Sequence, residues 1–103
     1  MYKIVICCAS GMSTSLLVEK MKRSAREQGI DANIIAVGAG QVHQEGENAD
    51  CILLGPQVLY AKDKLTKDLN APCAMISMRD YGMMDGENVL KTALSLIENR
   101  AVH

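Results

Sequence analysis

Four short apolar runs restrict what this chain can become. They are Tyr2–Cys7, the stretch 34–37 that ends a segment starting at Asp31, Cys51–Leu54, and the stretch 73–76. Each is rich in aliphatic residues and is stopped by glycine, proline or small hydroxyl residues. Unbroken apolar runs of this length suit strands buried on both faces. Between them lie longer segments with a helical period. In the segment 12–28, Leu17, Met21 and Ala25 recur on one stripe, the wet face carries Glu19, Lys22, Arg23, Arg26 and Glu27, and Gly29 supplies the stop. After Pro56, the residues Val58, Ala61, Leu65 and Leu69 share one helical face. Asp85 can cap a last helix striped by Leu90, Ala93, Leu94, Ile97 and Ala101. The polar segment 41–50 fits a short helix or a loop equally, and 78–86 reads as a loop. Strands alternating with helices imply right-handed crossovers and a parallel sheet. The expected architecture is therefore α/β: a four-stranded parallel sheet flanked by helices on both faces, in a single domain over residues 1–103.

Ligands of such sheets bind beyond the carboxyl ends of the strands. That edge would hold Cys8 with its loop, Gly38-Ala39-Gly40, Gly55-Pro56-Gln57 and the stretch 77–80. The stretch 3–18 reads as strand, tight loop and helix. Its loop, residues 9–15, is small and hydroxyl-rich: Ala9, Ser10, Gly11, Met12, Ser13, Thr14 and Ser15. Cys8 stands where the strand ends, facing the free N–H groups of the loop and of the helix N-terminus. Those groups favour an anion, either a thiolate or a phosphate. A thiolate is a strong nucleophile toward phosphorus. The same N–H groups, with the Ser and Thr hydroxyls, can cradle phosphoryl oxygens. Little more is required, because phosphoryl transfer rests mainly on positioning and charge stabilisation. A lone cysteine at a strand end is more often a small buried hydrophobe. The length of the loop and the clean strand and helix beside it favour the functional reading. His43 is a possible base or phosphoryl acceptor, but without apolar or acidic neighbours to tune it, it reads as a solvated side chain.

Composition narrows the classes further. The 103 residues are 49% apolar, enough for one core, although Met (seven) must stand in for Phe and Trp, which are absent. Net charge is −1 with both signs mixed, so the basic face of a nucleic-acid binder is missing. The four cysteines, Cys7, Cys8, Cys51 and Cys73, need not form a disulfide framework in a chain with a sufficient core. No Cys-x-x-Cys or spaced His pair suggests zinc, and neither metal nor cofactor is expected. Cys7 and Cys8 should point to opposite faces of their strand, while Cys51 and Cys73 read as core. Free thiols fit a reducing cytoplasm. No apolar run approaches the roughly 18 residues of a membrane span, and the N-terminal run stops too early for a signal peptide. No membrane insertion is expected.

Several blocks together resemble a known family: Cys8-Ala9-Ser10-Gly11-Met12-Ser13-Thr14-Ser15-Leu16-Leu17-Val18, Asn48-Ala49-Asp50, Leu53-Leu54-Gly55-Pro56-Gln57, Tyr81-Gly82 and Asp85-Gly86. They are similar to the enzyme IIB component of the lactose/cellobiose (chitobiose) branch of the bacterial sugar phosphotransferase system, over nearly the whole chain. The resemblance implies a fold like that of the low-molecular-weight tyrosine phosphatases. It implies that Cys8 carries the phosphoryl group as phosphocysteine. The donor would be a phosphohistidine on enzyme IIA, and the acceptor a sugar held by the membrane component, enzyme IIC. The loop leans toward the cellobiose/chitobiose type, although the sugar should be chosen by enzyme IIC. The late loop 79–82 (Arg79, Asp80, Tyr81 and Gly82) is expected on the docking rim beside Cys8.

Two other classes compete. Low-molecular-weight tyrosine phosphatases and arsenate reductases share a strand, Cys loop and helix, with the pattern Cys-x5-Arg-Ser/Thr. This chain reads Cys8-x5-Thr14-Ser15, without the arginine. A charged fork would hold the phosphoryl group more tightly by about 1.5–3 kcal/mol. A carrier that must pass the group on is better served by a neutral cradle. A regulatory interaction module is the third class, and the intact nucleophile loop argues against it.

Overall fold

A computed structural model describes residues 2–8, 11–38, 40–56, 58, 62–65, 67, 69 and 71–102, with the backbone alone at 11–14, 62, 65 and 99–102. Its elements run β1 (Tyr2–Cys7), α1 (Gly11–Glu27), β2 (Ala32–Val37), α2 (Val42–Gly46), β3 (Cys51–Leu54), α3 (Lys62–Leu65), β4 (Cys73–Met75), α4 (Met78–Gly82) and α5 (Gly86–Val102). The strands form one parallel sheet in the order β2-β1-β3-β4. The aliphatic runs became strands because both of their faces are covered. Ile4, Ile6, Cys51 and Leu53 pack against Leu17, Met21 and Ala25 of α1 and Leu90 and Ala93 of α5. Val5, Cys7, Ile52 and Leu54 pack on the other side with Val42, Val58 and Ala71.

Two contacts fix the frame around the site. At the start of the sheet, the Asp50 carboxylate accepts from the Lys3 N–H at 2.7 Å while the Asp50 N–H donates to the Lys3 carbonyl at 2.8 Å, setting the register of β1 against β3. On the helical layer, α5 approaches α1 at Gly86, where a Cβ would lie 2.6 Å from the Lys20 carbonyl carbon and 2.7 Å from the Met21 nitrogen. Only glycine permits that approach.

The structure corrects two readings and decides a third. The segment 78–86 is not a loop, because α4 occupies its first part. Ser77 caps α4, its hydroxyl accepting from the Asp80 N–H at 3.0 Å, and so supplies a helix start that the glycines obscured. Met84, at φ 52°, then turns the chain through the left-handed region into α5. The undecided stretch 41–50 contains the short helix α2. Cys73 is half-buried, whereas a core position was expected. Of the helix expected after Pro56, the described residues form α3, with Val58 buried ahead of it and Leu69 half-buried beyond it; Ala61 lies outside the described residues, as does the side chain of Leu65.

Candidate active site

β1 delivers Cys8 to the carboxyl edge of the sheet. The Cys8 N–H donates to the Val37 carbonyl at 3.1 Å, and the Gly55 N–H donates to the Cys7 carbonyl at 2.9 Å, so the strand end is held between β2 and β3. Alternation along the strand turns Cys8 toward the α1/α5 layer and Cys7 toward the opposite one. The chain then enters α1 at Gly11. The first-turn N–H groups of that helix have no intrahelical acceptor, and they carry the positive end of its dipole.

The second wall of the site comes from α4. Cys8 Sγ donates to Tyr81 Oη at 3.5 Å, across 73 positions of sequence. Cys8 is 4% exposed and Tyr81 9%, so the pair is largely shielded from water. A hydroxyl can rotate to accept or to donate. It accepts from the resting thiol and can donate to a thiolate or to an oxygen attached to the sulfur.

Geometry separates the four thiols. Cys7 faces the other core layer, and burial, followed by the neighbouring Cys8, pushes its thiol up to about 11. Cys51 opens β3, where burial, then Asp50, then Cys73, pushes its thiol up to about 12. Cys73 opens β4 and donates to the Ala71 carbonyl at 3.3 Å. β3 and β4 run parallel to β1, so their starts lie at the edge of the sheet opposite Cys8. Cys8 alone of the four stands at the carboxyl edge ahead of a helix N-terminus.

The residues singled out from the sequence divide accordingly. Ala9 and Ser10 lie outside the described residues, and of Gly11, Met12, Ser13 and Thr14 the backbone alone is described, in the first turn of α1. Ser15 is exposed on the same helix. On α4, Arg79 and Gly82 are exposed, Asp80 is half-buried and Tyr81 is buried. Tyr81 therefore meets Cys8, whereas Asp80 turns to α5, its Oδ2 accepting from Asn88 Nδ2 at 2.8 Å. Asn88 was not among the sequence candidates. The spacing Ser77-x-x-Asp80, a capping pattern, could have announced α4. His43 is exposed on α2. Among the described residues, no cluster of His, Cys, Asp and Glu could hold a metal ion, and no helix is long and apolar enough to cross a membrane.

A model of the family described as PTS system, Lactose/Cellobiose specific IIB subunit, matches residues 3–92. The chain belongs to this family. It is a sugar-specific IIB component of the phosphotransferase system, of the lactose/cellobiose type, and hence a phosphotransferase. It is 44% identical over 103 residues to the oligo-beta-mannoside-specific EIIB component of Bacillus subtilis (strain 168), covering 97% of this chain and 100% of that one. It is 40% identical over 102 residues to the galactose-specific EIIB component of Lactococcus lactis subsp. cremoris (strain MG1363), covering 91% and 94%. Among solved structures, the cellobiose-specific IIB component of Borrelia burgdorferi matches with a TM-score of 0.81 at 34% identity, covering 95% of this chain and 93% of that one. The lactose-specific IIB domain of Streptococcus pneumoniae matches in fold, with a TM-score of 0.78 at 16% identity and coverage of 91% and 95%. The expected phosphatase-like α/β architecture is thus the fold of this IIB component. Membership also decides against the phosphatase, reductase and interaction-module readings.

Proposed function

We propose that this IIB component is a phosphocysteine carrier working through Cys8. The observation that carries the reading is the place of Cys8, at the carboxyl end of β1, ahead of α1 and against the Tyr81 hydroxyl. Cys8 Sγ attacks the phosphorus of a phosphohistidine on enzyme IIA. The S–P bond forms as the P–N bond breaks, and the imidazole nitrogen keeps the electron pair and takes up the proton that the Cys8 thiol gives up. A sugar hydroxyl held by the membrane component, enzyme IIC, then attacks the same phosphorus. The S–P bond breaks, the thiolate is regenerated, and the hydroxyl proton leaves to base or solvent. Residues 9–15 serve as the phosphate loop, with the first-turn N–H groups of α1 spreading the phosphoryl charge. The face around Arg79 and Gly82 serves as docking rim. Both exchanges take place in the cytoplasm, at the same thiol, so the two partners must dock in turn.

The sugar follows from neither fold nor family. The similar proteins are named for oligo-beta-mannosides, galactose and cellobiose at comparable identity. We assign the cellobiose/lactose type and leave the choice of sugar to enzyme IIC.

Incubation with phosphoenolpyruvate, the general phosphotransferase proteins and enzyme IIA, followed by intact mass, tests the carrier reading. One phosphate should appear on the wild-type chain, be absent in Cys8→Ser, and persist in Cys7→Ser, Cys51→Ser and Cys73→Ser. Full labelling of Cys8→Ser would sink the assignment.

A further inference from the structure

α4 is little more than one turn long, yet it sets the position of the Tyr81 hydroxyl. Between α4, β4 and α5 lies a cleft of about 100 Å³ lined by Leu53, Ile76, Ser77, Asp80, Val89 and Thr92. Asp80, on that lining, accepts at its Oδ2 from Asn88 Nδ2 at 2.8 Å, a polar tie at the exposed surface of the helices. Asn88 is itself fixed, because its N–H donates to Asp85 Oδ1 at 3.0 Å. Asp80 is fixed at its other end by the Ser77 cap. Asp80 and Tyr81 are consecutive on the helix and so project about 100° apart. One reaches α5 and the other reaches Cys8. The tie therefore sets the rotation of α4 about its own axis.

We infer that Asp80 and Asn88 are positioning residues for phosphoryl transfer: their hydrogen bond holds α4 at the rotation that places Tyr81 Oη on Cys8. Its consequence for transfer rests on the phosphocysteine reading. Asp80 sits close in sequence to the site and carries a carboxyl group, which invites a role as general acid, but its carboxylate is engaged with α5.

The two roles separate in a swap. Asp80 and Asn88 each stand three residues after a helix cap, Ser77 and Asp85. A carboxylate is favourable at either place. The double variant Asp80→Asn with Asn88→Asp exchanges donor and acceptor and leaves net charge unchanged. Two readouts are needed. The first is the Tyr81 ring resonance in unphosphorylated, tyrosine-labelled protein; the chain has three tyrosines, and Tyr81→Phe assigns the signal. The second is the rate of transfer from phosphorylated enzyme IIA at saturating donor, followed by intact mass. Asn88→Ala and Asp80→Ala should each shift the Tyr81 resonance, leave that of Tyr2 in place, and slow transfer about ten-fold. The swap should restore both. Asn88 is exposed, so its truncation leaves the core intact. An unmoved Tyr81 resonance, or a wild-type rate in Asn88→Ala, overturns the inference. So does a swap that stays slow, which would assign carboxyl chemistry to Asp80. Should the wild-type chain take no phosphate, the carrier reading falls, and the resonance alone decides whether the tie orients Tyr81.

Discussion

As the proposed phosphoryl carrier, Cys8 has to combine shelter with reactivity. The thiol is almost as buried as its neighbours Cys7 and Cys51, so burial does not mark it out. What differs is what each sulfur faces: Cys7 meets aliphatic side chains, whereas Cys8 meets a hydroxyl that can reverse its hydrogen bond. This contact was not legible in the sequence. Tyr81-Gly82 stood out only as a short block, and nothing in the spacing joins it to Cys8. The contact exists because β1 and the chain after β4 end at the same edge of the sheet. Tyr81→Phe isolates the hydroxyl. It removes one weak bond to sulfur and leaves the ring in the core, so the melting temperature should stay within about 2 °C of wild type. Loss of one preorganised donor should slow phosphoryl transfer from enzyme IIA by about 10- to 100-fold. A wild-type rate would reduce Tyr81 to packing.

At the scale of elements, legibility followed the size of the apolar signal. The runs at Tyr2–Cys7 and Cys51–Leu54 became strands with those bounds, since aliphatic residues without polar interruption have no place but the middle of a covered sheet. The stripe Leu17, Met21 and Ala25 became the buried face of α1 for the same reason. α4 was missed because it is too short to show a period, and its signal is a cap. The close packing of α5 on α1 was missed too, because a glycine after Asp85 reads as a turn whether or not another backbone lies against it. Gly86→Ala tests that packing. Its Cβ would meet the backbone of Lys20 and Met21, which cannot rotate away. Overpacking of this kind costs about 1–3 kcal/mol, seen as a fall in melting temperature of about 4 °C or more. Gly82→Ala is the control, with no atom within 4 Å of its Cβ, and should be neutral or slightly stabilising. Equal melting temperatures for the two variants would mean that α1 yields to α5 without cost.

At the scale of the whole molecule, two deeply buried thiols make the fold sensitive to pH. Cys7 lies in one core layer and Cys51 in the other, so both halves of the interior contain a group that must stay neutral. Burial holds the two thiols at about 11 and about 12, above the ordinary value of 9.0. Between those limits the folded chain keeps protons that the unfolded chain has released, so stability falls as pH rises. The contribution is fully present below pH 9 and is lost through the interval up to 11–12. Each thiol then removes on the order of 1 kcal/mol per pH unit. Other groups titrate in the same range, which makes a difference measurement the clean one. Cys51→Ala deletes one titration and should be less stable than wild type at neutral pH through the lost packing. The gap should narrow between about pH 8 and about pH 10.5, because only the wild type pays the cost of holding a proton on residue 51. Urea unfolding of both proteins across that range measures it. A gap independent of pH would mean that Cys51 ionises in the folded state as readily as in the unfolded chain, and that the layer under α1 and α5 admits water.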